Sequence, residues 1–178
     1  MKTNEEKLRV YAAYLPYKLE VWYASLSSAH LLKRIEVRND GDHLIEISNN
    51  ITIKESISSE DIKPIFWDLS YLTKEIEHEG KRFVPIQKLC EMILMYQKAI
   101  GSPINGDHGY AQNFGIDGVI TGTLEIYKDM TICCYSNKKG KPYRAINQFK
   151  AYQKLTSWKL NVFQLPEDQF INKATLKL

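Results

Sequence analysis

Residues 31–47 read LLKRIEVRNDGDHLIEI, and this stretch decides the fold class. Ile35 and Val37 alternate with Arg34, Glu36 and Arg38, the two-residue period of an antiparallel strand with one wet face. Asp40-Gly41 lies between two such runs and tolerates the positive φ angles of a tight hairpin turn, so residues 31–38 and 43–47 are predicted to pair. Outward from this hairpin, residues 18–24 and 51–54 carry similar strand patterns, and Asn49-Asn50 supplies a second, less specific turn signal. A small antiparallel meander is expected.

Helical patterns flank it. Thr3-x-x-Glu6 is a capping box, and Leu8, Tyr11, Ala12 and Leu15 follow at helical spacing until Pro16 stops the run. Further on, Asp68 is placed to cap a helix carrying Leu69, Leu72 and Ile76, with Gly80 as its closing glycine. Pro85 then opens a helix in which Ile86, Leu89, Cys90, Ile93 and Leu94 repeat at three and four, making Cys90 a core residue. Residues 100–118 are glycine-rich and read as loop, and residues 119–127 and 131–135 read as a second hairpin. The expected fold is α+β: a small antiparallel β-meander packed with about four helices plus that second hairpin. One globular domain spanning residues 1–178 is expected from the length.

The fourth helix, residues 143–160, has an unusual pattern. Ile146, Phe149, Tyr152, Leu155 and Trp158 recur at every third position, so their line winds about 60° around a 3.6-residue helix at each step. The winding predicts burial of both Phe149 and Trp158, with Lys150 and Lys154 on a narrow basic face.

Charge is the most informative functional feature. From residue 130 to 159 the chain has seven basic residues and no acidic one, while the other 148 residues hold 17 basic against 21 acidic. A segregated positive field interleaved with Tyr135, Tyr143, Phe149, Tyr152 and Trp158 is the footprint of a nucleic-acid backbone or an acidic partner surface. The candidate nucleic-acid-binding residues are Lys138, Lys139, Lys141, Tyr143, Arg144, Lys150 and Lys154. Tyr135 and Tyr143 bracket the lysine-rich loop and are the candidates for stacking on a base. A solvated positive face is the competing interpretation.

Three segments resemble a known family. Residues 61–65 (DIKPI), 68–76 (DLSYLTKEI) and 80–86 (GKRFVPI) form one block; residues 15–19 (LPYKL) and 155–165 (LTSWKLNVFQL) form the others. Together they resemble an uncharacterised family of small proteins encoded by phages and prophages of Bacteroidota. That family has no assigned activity, so the resemblance implies a phage or prophage origin and no functional residue. Its pattern carries His and Asp after the tryptophan, where this chain has Lys159 and Asn161, which removes an acid/base pair from consideration.

Catalytic signals are sparse. Asp107-His108 lies in the glycine-rich stretch, where a histidine is well placed to titrate, yet no paired ligand stands at metal spacing and a surface histidine is the simpler reading. Gly115, Gly118 and Gly122 lack the Gly-Lys-Ser/Thr ending of a phosphate loop, and a strand bulge at Gly122 explains them more economically. Glu75, Glu77 and Glu79 are interleaved with Lys74, Lys81 and Arg82 and read as a solvated face. Cys133 and Cys134 are adjacent on a strand and point to opposite faces, so joint chelation is disfavoured. No metal and no cofactor are expected.

With no apolar run long enough to span a bilayer and no signal-peptide pattern, a cytoplasmic protein of the host bacterial cell is expected. The leading expectation is a non-enzymatic phage or prophage accessory protein that binds RNA, single-stranded DNA or a host nucleoprotein, one concrete form being an inhibitor of an RNA-guided defence effector. The alternatives are a minor virion or assembly protein acting through protein contacts and, third, a small enzyme centred on His108.

Overall fold

The computed structural model describes residues 3–39, 43–94, 97–137 and 146–176. The chain divides into two compact units, Met1–Asp68 with Lys159–Leu178, and Leu69–Trp158.

The first unit begins with α1 (Asn4–Tyr14). Its capping box closes as the sequence predicts: the Thr3 amide donates to Glu6 Oε2 at 2.8 Å, and the Glu6 amide to Thr3 Oγ1 at 3.2 Å. Two of the free amides at the helix start are thereby satisfied. Beyond α1 the chain tightens into a 3-10 turn, Leu15–Tyr17, around Pro16. Four antiparallel strands follow, β1 (Glu20–Tyr23), β2 (Ser28–Val37), β3 (His43–Asn49) and β4 (Ile51–Ser56). The turn at Asn49-Asn50 holds Asn50 at φ 67°, a left-handed conformation that asparagine tolerates. The Asp40-Gly41 turn lies outside the described residues, but its strands pair as predicted, Ile35 opposite Ile45 and Val37 opposite His43. β5 (Ile62–Phe66) pairs antiparallel with β1 and buries Ile62, Pro64, Ile65 and Phe66.

The second unit opens with a departure from the predicted helix. Residues Leu69–Thr73 form only a 3-10 turn, followed by a two-stranded hairpin, β6 (Ile76–His78) and β7 (Lys81–Phe83). Glu79 and Gly80 lie between the strands at φ 51° and 72°. Two successive positive φ angles make a hairpin turn whose twist matches that of the strands. Glu77 stands directly opposite Arg82, and Glu75 and Glu77 lie 3.8 and 3.6 Å from its guanidinium. The charged cluster is thus a cross-strand arrangement on an exposed hairpin, where ion pairs contribute little.

α2 (Pro85–Ile93) starts at its proline and buries Ile86, Leu89 and Cys90 as the periodicity predicts. After it come β8 (Lys98–Ala99), β9 (Ile104–Gly106), β10 (Gly109–Ile116), β11 (Val119–Tyr127) and β12 (Ile132–Ser136). They form an antiparallel sheet in the order β12-β11-β10-β8, with β9 also on β10. The second hairpin is present as β11–β12, but the predicted loop before it contains β10, whose Phe114 is fully buried. α3 (Gln148–Ser157) completes the unit, and α2 packs against β8, β10 and α3.

The chain then returns to the first unit and ends with β13 (Ile171–Asn172), parallel to β5, so that the six-stranded sheet runs β13-β5-β1-β2-β3-β4. The return is fixed by hydrogen bonds at both ends of a short parallel bridge: Trp67 N–H donates to Lys159 O and Asn161 N–H to Trp67 O, each at 2.9 Å. Tyr14, its ring 4.4 Å from Phe66 and 5.9 Å from Phe163, donates through its hydroxyl to Leu160 O and accepts from the Val162 amide. Asn161, buried, closes the segment by bonding both the amide and the carbonyl of Leu165 at 2.9 Å. Its role is therefore structural. Asn161→Ala strips both partners from buried backbone groups and is expected to cost about 2 kcal/mol, read as a lowered denaturation midpoint, while Asn161→Asp removes only the donor.

Among the described residues there are three α-helices against 13 strands in three sheets, with 42% of those residues in strands. The expected meander with about four packed helices is corrected to a sheet-dominated mixed fold. One predicted helix is a hairpin, and a predicted loop is a strand at the centre of the second sheet.

Candidate nucleic-acid interface

The charge that motivated a nucleic-acid reading is concentrated in the second unit. Leu69–Trp158 holds twelve basic and eight acidic residues, and the remainder of the chain twelve and thirteen. Lys138, Lys139, Lys141, Tyr143 and Arg144 lie outside the described residues. What the structure fixes is where the chain departs and returns around them. It leaves β12 after Ser136 and returns ahead of α3, where Asn147 caps the helix by accepting from the Lys150 amide at 3.0 Å. The next residue, Gln148, donates through Nε2 to Ile132 O at 2.7 Å, and Tyr152 donates to Met130 O. α3 is thus tied to the strand from which the basic segment departs, and to the residue two before that strand.

On α3, burial falls on Ala151, Leu155 and Thr156, with Trp158 just beyond the helix. At about 100° per residue, Lys150 points away from that stripe, while Lys154 lies along its border, between Ala151 and Trp158 on one side and solvent on the other. Lys150 is exposed and Lys154 half-buried, and neither forms an ion pair among the described residues. The predicted burial of Phe149 is overturned: its side chain is 70% exposed, whereas Trp158 is 5% exposed. Ala151, Leu155 and Trp158 step by four and three with Thr156 beside them, and Phe149, at the start of the helix, falls outside that packed stripe. Lys159, the last residue of the acid-free run, belongs to the first unit. Its Nζ lies 3.4 Å from Glu20 Oε2, which Lys173 also approaches at 3.0 Å. Burial opposes the Glu20 charge, but the two ammonium groups outweigh it and lower the carboxyl pKa.

Tyr135 is 43% exposed on β12. It shares a sheet face with Cys133 on its own strand and with Thr123, Glu125 and Tyr127 on β11, the register placing Tyr135 opposite Thr123 and Cys133 opposite Glu125. Tyr127 donates to Glu125 Oε2 at 2.7 Å, and its oxygen lies 2.9 Å from that of Tyr135. Cys133 is half-buried, whereas Cys134 points into the core. Burial pushes the thiols of Cys90 and Cys134 up to about 12 and leaves them unreactive.

The other candidates carry less. His108 is exposed in the turn before β10, and among the described residues no three His, Cys, Asp or Glu side chains gather as a metal site. Gly115 and Gly122 are occupied by backbone packing rather than by space for a phosphate, since a Cβ on either would lie 1.9 or 2.3 Å from a carbonyl oxygen. In the first unit, buried His30 shares a 2.8 Å hydrogen bond between Nε2 and Ser28 Oγ, but among the described residues its Nδ1 has no partner and so no orienting carboxylate of a hydrolytic triad. A cleft of about 280 Å³ in the same unit has an apolar floor including Tyr11, Ile62 and Leu165 and a rim of opposed charges, Lys7, Lys63, Glu60 and Asp168, which selects no ligand charge.

No family model, curated protein or solved structure matches the chain. Of the residues on this surface, Glu125 and Tyr127 had no distinguishing mark in the sequence. They are alternating positions of a strand, and only the register brings them to Tyr135.

Proposed function

We propose that the protein is a non-enzymatic accessory protein that binds single-stranded nucleic acid through its second unit. The observation that carries this reading is Phe149, a large aromatic ring left 70% exposed beside Lys150 at the return end of the basic segment, with Tyr135 exposed at its departure end. Exposed rings at both ends of an acid-free lysine segment combine phosphate neutralisation with surfaces on which bases stack. The resemblance to phage and prophage proteins supports a role in the bacterial host cytoplasm, with a host nucleoprotein as the target and inhibition of an RNA-guided defence effector as one form. Such effectors hold their guide duplex in a positively charged channel, so this surface would engage exposed RNA and not the channel wall. No helix among the described residues is long and apolar enough to cross a membrane.

The test is a binding titration against a single-stranded oligonucleotide at several salt concentrations. Every lysine–phosphate pairing that a Lys138/Lys139/Lys141→Ala variant removes flattens the slope of log K against log salt by about 0.7. Phe149→Ala weakens binding and leaves the slope in place, because stacking releases no counterions. Absence of binding by the wild type at low salt would sink the reading. A protein-contact role, as in a minor virion or assembly protein, then takes precedence, favoured by the apolar tip of the β10–β11 hairpin, where Ile116, Val119 and Ile120 are exposed.

A further inference from the structure

We propose that Glu125, held by Tyr127 and Tyr135 on the exposed face of β11–β12, is a site that selects guanine in single-stranded nucleic acid. The inference rests on the single-strand reading above and names the base it prefers.

Tyr127 has one hydroxyl proton, and it goes to Glu125 Oε2 at 2.7 Å. The 2.9 Å contact between the two phenol oxygens must then be donated by Tyr135. The direction of the chain is therefore fixed, Tyr135 to Tyr127 to Glu125, and each bond polarises the next. Such a chain fixes the orientation of a carboxylate that would otherwise rotate. Among the described residues Glu125 accepts at one oxygen, through Oε2, and has no ion pair, which leaves acceptor capacity at both oxygens.

A carboxylate with no ion pair among the described residues, on the strand paired with the one from which the acid-free segment departs, is unexpected if the surface contacts phosphates alone, because it repels them. It becomes useful if it reads a base edge. A carboxylate is acceptor-only, so it discriminates by donors. Guanine presents two adjacent donors, N1–H and the N2 amino group, matched to the two oxygens of one carboxylate. Uracil and thymine present a single N–H between two carbonyl oxygens that the carboxylate repels, and cytosine and adenine set one amino group beside an acceptor nitrogen. The exposed Tyr135 ring supplies a flat surface next to the carboxylate, as stacking of an unpaired base requires.

Register places Cys133 directly opposite Glu125 on the same face, half-buried, while Cys90 and Cys134 are buried. Alkylation of Cys133 therefore reports occupancy of the site independently of affinity.

The experiment uses the full chain with labelled decamers of uridine, either unmodified or carrying one central guanosine or one central inosine, which lacks the N2 amino group. Wild type is expected to bind the guanosine decamer about tenfold more tightly than all-uridine, the discrimination of one bidentate base contact, with inosine between them. Glu125→Gln, which still accepts from Tyr127 and so preserves the array, is expected to bind all three within about twofold of one another, the loss of the repelling charge strengthening all three alike. At equal saturation, the guanosine decamer should slow iodoacetamide alkylation of Cys133 and the all-uridine decamer should not. Equal affinities in the wild type, a guanosine preference that persists in Glu125→Gln, or equal protection by both decamers would overturn the guanine site and leave single-strand binding standing. Failure of every decamer to bind at low salt would instead overturn the single-strand reading, and the site with it.

Discussion

Trp158→Ala is expected to destabilise the second unit by about 3–5 kcal/mol, and Phe149→Ala to change stability by no more than about 0.5 kcal/mol, although both rings belong to the same three-residue repeat. Trp158 is 5% exposed, and its ring centroid lies 5.0 Å from that of Phe83 at an interplanar angle of 57°. Truncation removes a large apolar surface and the tilted ring pair, and it leaves a hole in a close-packed site that collapses only in part. Phe149 has little at stake, since most of its surface already meets water. Chemical denaturation of the two variants measures the contrast. Binding should invert it: Phe149→Ala, still folded, is expected to forfeit about 1–3 kcal/mol of single-strand affinity if its ring stacks on a base. A Phe149→Ala variant as destabilised as Trp158→Ala would place the ring in the core and remove it from the proposed surface.

Phe149 escapes the burial that its repeat predicts for a reason that lies in the residues themselves. A repeat of three names the apolar residues but says nothing of the small ones between them, and Ala151 and Thr156 lie in the buried stripe. The Glu79-Gly80 pair shows a related ambiguity. A glycine with positive φ closes a helix or turns a hairpin, and the flanking apolar residues Leu69, Leu72 and Ile76 fit a helical period well enough to favour the wrong choice. Only the cross-strand partners of Glu77 and Arg82 separate the two. β5 escaped the strand reading because Pro64 interrupts it, and β10 because its glycines resemble a loop. Features governed by local chemistry were legible: the capping box at Thr3, the proline start of α2, the β2–β3 pairing and the β11–β12 hairpin. So was the charge run of the candidate interface. The exposure of its aromatic residues and the presence of Glu125 depend on tertiary packing and register, which a single sequence does not contain.

Gly122→Ala is expected to cost at least about 3 kcal/mol, at the upper end of overpacking effects. β11 carries one extra residue here, Thr121, because Gly122 pairs with Phe114 and Ile120 with Gly115. A Cβ on Gly122 would lie 2.3 Å from Tyr135 O and 2.5 Å from the tip of the Phe114 ring. The carbonyl is backbone in the β11–β12 ladder and cannot swing aside, and Phe114 is fully buried, so its ring has nowhere to retreat. The added methyl must therefore either part the two strands or expel a core phenylalanine. Gly118, in the turn between β10 and β11, is the control. It sits at φ 79° with nothing within 4 Å of an added Cβ, so Gly118→Ala incurs only backbone strain of about 1–2 kcal/mol, and Gly118→Asn less. Denaturation midpoints of the three variants decide the matter: Gly122→Ala should fall well below Gly118→Ala, with Gly118→Asn nearest the wild type. If Gly122→Ala is no worse than Gly118→Ala, the close approach of β12 and Phe114 to β11 is not what holds this sheet. Because Tyr135 supplies the carbonyl that Gly122 admits, the same variant should also displace Tyr135 from Tyr127 and abolish any guanine preference. Gly118→Ala lies at the far end of the hairpin and should leave that preference intact.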